Sequence, residues 1–159
     1  MQPAMQAAAK PAAQTTAHTT EALARLEALF TGLTPATVGE VAGFYTPDAC
    51  FKDPFNQVRG GAAIERIFAH MFVQLTEPRF LIIERAVDGE QAWLTWNLEY
   101  RLRPGKPVQR IHGASHLKFA ADGRVTWHRD YWDTGEELYE SIPLLGAVLR
   151  FIKGRLRAS

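Results

Sequence analysis

The chain has 159 residues, a net charge of +1, 47% apolar residues and one cysteine, Cys50. That length fits one domain burying roughly two-thirds of its unfolded surface, the near-neutral balance gives no general field for nucleic acid, and a lone cysteine excludes an internal disulfide. No run of about eighteen apolar residues is present, so no segment is expected to span a membrane and the expected location is the cytoplasm.

Residues 1–18, rich in Ala, Gln and Thr, carry no aliphatic periodicity and read as a disordered leader. Thr20 then suits an N-cap, with Glu21 in the first turn, and Leu23, Leu26, Leu29, Phe30 and Leu33 at helical spacing predict a first helix. Thr34-Pro35 restarts the chain, and Val38, Val41 and Tyr45 predict a short second helix. Asp48 to Phe55 reads as a short strand closed by Pro54. Gly60-Gly61 opens a third helix whose Ile64, Ile67, Phe68, Met71, Phe72 and Leu75 form one apolar stripe, stopped by Pro78.

Four strands follow, over Arg79–Asp88, Gln91–Arg103, Pro107–Ala120 and Gly123–Trp132, joined at Asp88-Gly89-Glu90, Pro104-Gly105-Lys106 and Ala121-Asp122-Gly123, which supply turn residues for a meander. A helical turn over Glu136–Ile142 and a basic amphipathic helix over residues 146–159 close the sequence. The expected organisation is one domain over residues 19–145 in the α+β class: a curved antiparallel sheet with helices packed on its concave face, forming a cone.

Two segments place a carboxylate among large aromatic side chains: Asp53 between Phe51 and Phe55, and Asp130 beside Tyr131 and Trp132. Burial disfavours the charged form of an acid, so such groups are candidates for handling protons. Alternation along a strand refines this. If Asp130 points into the cone, so do His128 and Trp132, while Trp127, Arg129 and Tyr131 face out. On the preceding strand Ile111, Ser115, Leu117 and Phe119 would face in, and His112 and His116 out. The second long strand is divided, with Leu94, Trp96, Leu98, Tyr100 and Leu102 on one face and Asn97, Glu99 and Arg101 on the other. Asn97 and Glu99 reach the same pocket as the apolar row only across a bulge.

Other chemistries lack support. His112 and His116 on an extended strand stand about 13 Å apart, too far to chelate one ion, so no metal site is expected. Gly113-Ala114-Ser115 does not complete a nucleophile elbow, and no glycine-rich phosphate loop is present.

The order of elements, with Phe51-Lys52-Asp53-Pro54 and Arg129-Asp130-Tyr131-Trp132-Asp133, resembles the NTF2-like superfamily in its SnoaL-like branch, related to ketosteroid isomerases and limonene epoxide hydrolases. The likeness covers roughly Glu21 to Leu145. It implies a cone with a pocket for a small apolar molecule, no cofactor, and a homodimer built through the outer sheet face. By resemblance, Asp53 falls on the general base of the isomerases, whose two oxyanion donors fall on Leu29 and Ser115. Asp130 falls on a catalytic aspartate of the epoxide hydrolases, whose arginine, second aspartate and water-holding asparagine fall on Asn97, Glu99 and Asp53.

The expected site therefore has Asp53, Asp130 and His128 handling protons, and Phe51, Phe55, Asn97, Glu99, Ser115 and Trp132 contacting substrate. The expected function is cofactor-free acid/base chemistry of isomerase, epoxide hydrolase or cyclase type. Two readings stand beside it: a noncatalytic module that binds the same ligand, and a protein-interaction or membrane-surface adaptor resting on Arg150, Lys153, Arg155 and Arg157. For those four residues the weaker demand is met by simple compensation of a helix C-terminus.

Overall fold

The computed structural model describes residues 12–134. The start of the expected leader, the helical turn after Glu136 and the basic C-terminal helix lie outside the described residues.

The first helix, α1, spans Ala12–Thr31, beginning nine residues before the expected first turn at Glu21. Thr20 is no cap: its Oγ1 donates to the Thr16 carbonyl at 2.8 Å, inside the helix. Residues 12–18 are therefore helical, where a leader without structure was expected; Thr19, next in the helix, is 1% exposed. The Ala-rich stretch has high intrinsic helix propensity, and a threonine hydroxyl can bond the carbonyl four residues back, so the helix outruns its apolar face. Leu23, Leu26, Leu29, Phe30 and Leu33 are all buried, as their spacing requires.

A 3-10 turn over Val38–Phe44 replaces the expected second helix, and β1 then spans Tyr45–Lys52. Tyr45, expected on a helix, is the first residue of this strand. A further strand, β2, over Gln57–Arg59, is short enough to escape a periodicity argument. The second helix, α2, spans Gly61–Gln74 and ends before Pro78. The long strands are β3 over Thr76–Asp88, β4 over Gln91–Arg101, β5 over Gln109–Phe119 and β6 over Val125–Trp132.

The six strands form one unclosed sheet in the order β2-β1-β6-β5-β4-β3. It is mixed where an all-antiparallel sheet was expected, because β6 returns alongside β1 in parallel after the β3–β6 meander. Register shifts between Thr76 and Arg79 and between Ile82 and Glu84 of β3 bend the sheet at one side. Helices and curved sheet together make the α+β cone.

The core is one cluster joining α1, α2 and the inner sheet face. Leu94, Trp96, Leu98 and Tyr100 of β4 and Ile111, Leu117 and Phe119 of β5 meet the helix stripes there. At about 1.5–3 kcal/mol for each fully buried large apolar side chain, this cluster is the main stabilising term. Val58, Ile67, Met71 and Phe80 are only partly buried against it, and that lighter packing borders the cleft described next.

Candidate functional site

Asp53 and Asp130 both line one cleft of about 540 Å³ between α2 and the inner sheet face. Its walls are mostly apolar, with Phe68 and Met71 from α2 and Phe80, Trp96, Leu98 and Ile111 from the sheet. Phe51 lines its floor at 1% exposure. Phe55 and Trp132 close one side, their rings edge to face at 5.3 Å. Arg66 and His70, exposed on α2, bring the polar groups of the opposite rim.

The two aspartates have different employment. Asp53 Oδ1 accepts from the Phe55 backbone N–H at 2.7 Å and the Asn56 N–H at 2.5 Å, and Asn56 Nδ2 donates to both its oxygens at 3.1 and 2.9 Å. These bonds, with Asp53 N–H donating to the Asn56 carbonyl at 3.0 Å, close an Asx turn. Asp53 shapes the rim of the cleft, and its carboxylate is occupied in doing so.

Asp130 is held from the other side. Strand register sets Ser115 directly across from it and Leu117 across from His128. Ser115 Oγ donates to Asp130 Oδ1 at 2.5 Å, and His128 Nε2 lies 2.8 Å from the same oxygen. Each partner is anchored in turn. Trp96 Nε1–H donates to Ser115 Oγ at 2.8 Å, and the Tyr45 hydroxyl lies 2.7 Å from His128 Nδ1. Asp130 is thus the meeting point of two arms, Trp96–Ser115 and Tyr45–His128. Its Oδ2 takes no hydrogen bond from the described residues, and the side chain keeps 14% exposure where it borders the cleft.

The arms run through the core. Ser115 is 5% exposed, His128 3% and Tyr45 2%. The imidazole is enclosed by Phe51 at 4.9 Å and Phe30 at 6.0 Å, both edge to face, with the Tyr45 ring parallel to it. Burial, and secondarily the Asp130 charge, hold the Tyr45 hydroxyl well above its ordinary pKa, so it remains a hydroxyl across the working range.

His128 and Ser115, expected at the pocket surface, therefore lie behind Asp130, supporting it. Asn97 and Glu99 are on the opposite face of the sheet. The β4–β5 register runs without a bulge, so alternation sends them outward: Asn97 Oδ1 is 2.9 Å from His112 Nδ1, and Glu99 pairs with Arg79 at 2.9 Å and Arg110 at 2.7 Å. Hydrogen bonds from Arg79 and then Arg110 lower the Glu99 pKa. Leu29 is a core residue. Tyr45 escaped sequence reasoning because its place on a helix gave it no strand phase to share with His128; Trp96 was read only as core.

Among the described residues no group of three or more His, Cys, Asp or Glu side chains is placed to hold a metal, and no helix is long and apolar enough to cross a membrane.

Residues 26–128 match the family model of the SnoaL-like domain. The chain belongs to the SnoaL-like domain family. No curated protein matches it significantly in sequence. Solved structures share its fold at low identity. An LEH-like epoxide hydrolase from M. tuberculosis is 21% identical, with 84% of this chain and 97% of that one aligned at a TM-score of 0.63. A putative SnoaL-like polyketide cyclase from Jannaschia sp. CCS1 is 16% identical, with 84% and 92% covered at 0.64. A hypothetical protein with a ketosteroid isomerase-like fold from Catenulispora acidiphila, solved in complex with trimethylamine, is 16% identical, with 74% and 89% covered at 0.63. The SnoaL-like fold thus accounts for the cone and its cleft; which chemistry the cleft supports depends on its own residues.

Proposed function

We propose that this SnoaL-like protein is a cofactor-free acid/base catalyst that binds a small apolar molecule in the cleft and moves a proton on it through Asp130. The observation that carries this reading is the arrangement of one carboxylate, held at Oδ1 by Ser115 and His128 with Oδ2 unengaged among the described residues, at the wall of an aromatic cleft of about 540 Å³. That volume suits a drug-sized apolar ligand with a few fixed polar contacts. An anchored carboxylate with one open oxygen can remove a proton and return it at another atom of the same molecule.

Of the three chemistries named for relatives, a cyclase- or isomerase-type proton transfer fits these residues best. Epoxide opening by paired carboxylates with an arginine between them is not reproduced at the positions that resemblance gives it, since Asn97 and Glu99 face away from the cleft and the Asp53 carboxylate is taken up by the turn. Leu29 offers no donor, and Ser115 spends its hydrogen on Asp130. Donors for charge that develops on a bound molecule are offered instead by Arg66 and His70 on the rim of the cleft.

Turnover should be assayed on a panel of aromatic polyketides, conjugated cyclic ketones and epoxides, with ligand binding followed by fluorescence of Trp96 and Trp132. Asp130→Asn should lower turnover of an accepted compound by ~10²-fold or more at similar affinity. Asp53→Asn keeps an acceptor for the turn and should stay within about threefold, well short of the loss of a general base. Equal rates for Asp130→Asn and the unaltered protein would overturn the assignment. Saturable binding without turnover of any compound would favour a noncatalytic binding module.

We further propose a cytoplasmic homodimer assembled through the outer sheet face. Trp93, 40% exposed, stacks on His116 there, and Tyr131 is 48% exposed with Arg129 over its ring at 4.6 Å. Burial and then the Lys118 charge lower the His116 pKa, which favours the neutral ring for that stack. The same face carries Lys52, Arg59, Lys118 and Arg129 at neighbouring register positions, with no ion pair among the described residues. Two copies meeting there bring like charges together, and salt screens that repulsion within about 10 Å at 0.1 M. Sedimentation velocity should show dimer at micromolar concentration, tightening several-fold as ionic strength rises from ~0.05 to ~0.5 M. A monomer at both, or a dimer weakened by salt, would refute this interface.

A further inference from the structure

We infer that Tyr45 is a positioning residue that sets the direction of the hydrogen bonds reaching Asp130, and so fixes Oδ2 as the oxygen that carries a transferred proton. This rests on the reading of Asp130 as the proton-handling group, and it concerns which of its two oxygens acts.

Distances alone leave the His128 arm with two directions, because either imidazole nitrogen can carry the hydrogen. In one, Tyr45 O–H donates to Nδ1, Nε2–H donates to Asp130 Oδ1, and the carboxylate accepts. In the other, Nδ1–H donates to the Tyr45 oxygen, and Asp130 holds a proton on Oδ1 that it donates to Nε2. The second direction requires a different acceptor for the Tyr45 hydrogen. His128 is the only hydrogen-bond partner of the Tyr45 hydroxyl among the described residues, and Tyr45 is 2% exposed. An unpaired hydroxyl there carries a full desolvation penalty. Tyr45 therefore donates, His128 carries its hydrogen on Nε2, and Oδ1 accepts.

The Trp96 arm agrees with this by a separate route. An indole N–H can only donate, so Ser115 Oγ accepts from Trp96 and sends its own hydrogen to Asp130 Oδ1. Both arms converge on one oxygen as donors. With Oδ1 saturated, a proton taken from a molecule in the cleft lands on Oδ2 and leaves from Oδ2, and no bond inside the core has to reverse.

The test is the imidazole ¹⁵N spectrum of His128 at pH 7, assigned by its absence in His128→Phe. The unaltered protein should show the Nε2–H tautomer, with Nδ1 in the acceptor range. Tyr45→Phe removes the hydroxyl and little volume, so both directions become open and the spectrum should move toward a tautomer mixture. On a substrate accepted in the panel above, Tyr45→Phe should lower kcat ~10-fold or more, the order seen when an orienting hydrogen bond behind a working group is lost, with KM nearly unchanged. An Nδ1–H tautomer in the unaltered protein overturns the inference, and so does a Tyr45→Phe spectrum identical to it. If Tyr45→Phe does not fold, the spectrum of the unaltered protein alone decides. The tautomer is read without any substrate, so absence of turnover would count against the catalytic reading and leave this result standing.

Discussion

Gly113→Ala should destabilise the fold by ~3 kcal/mol and lower its melting temperature by ~10 °C, a large effect for one methyl group. Gly113 lies across from Trp96 in the β4–β5 register, and a Cβ there would stand 2.5 Å from Trp96 Cζ2. The indole is held in place on two sides. Its Nε1 donates to Ser115 at 2.8 Å, and its ring meets Phe80 edge to face at 5.7 Å. Overfilling a packed core typically costs about 1–3 kcal/mol, and pulling Trp96 from Ser115 adds about 1 kcal/mol. Gly43→Ala, where a Cβ meets nothing within 4 Å, should change stability by less than about 0.5 kcal/mol. Differential scanning calorimetry of both variants is the check. A loss below about 1 kcal/mol for Gly113→Ala would mean that Trp96 repacks freely, and that the arm from Trp96 to Asp130 is not rigidly held.

The glycine at 113 also illustrates what the sequence could and could not convey. Period-two alternation on β5 and β6 correctly predicted that Ser115, His128, Asp130 and Trp132 share the inner face, because a half-buried sheet imprints its two faces on the sequence. The same rule separated Asn97 and Glu99 from the apolar row of β4, against the roles that resemblance implied for them. What alternation cannot convey is partnership across distant strands. Tyr45 reaches His128 because β6 returns in parallel beside β1, with a register shift between Tyr45 and Cys50, and local pattern holds no record of that pairing. Asp53 shows another limit. An aspartate before proline in an aromatic segment suits a pocket acid and a turn alike, and Asp53 both borders the cleft and accepts from Phe55 and Asn56 in a turn that the local pattern does not announce. At the N-terminus the sequence carries no apolar stripe before Leu23, yet α1 extends back to Ala12 on alanine propensity.

Removing one partner of the buried polar arm should cost more stability than removing both. His128→Phe removes both ring nitrogens while keeping a ring of similar size among Phe30, Phe51 and Tyr45. It leaves the Tyr45 hydroxyl buried without an acceptor and deprives Asp130 Oδ1 of one donor. An orphaned buried hydroxyl costs about 1–3 kcal/mol and a lost charge-assisted bond a similar amount, so the single variant should be ~3 kcal/mol less stable in urea unfolding. Tyr45→Phe alone orphans Nδ1 and should cost ~1 kcal/mol. The double variant orphans neither atom of that pair, because the rings then meet as hydrocarbon. It should be at least as stable as His128→Phe, regaining ~1 kcal/mol, since replacing both partners of a buried bond can be nearly neutral. Simple addition of the two single losses would show that Tyr45 and His128 are not coupled through this bond, and that the 2.7 Å contact contributes nothing. Coupling of the expected sign would show that Tyr45 and His128 act as one bonded pair in the core, through which Asp130 receives a donor at Oδ1.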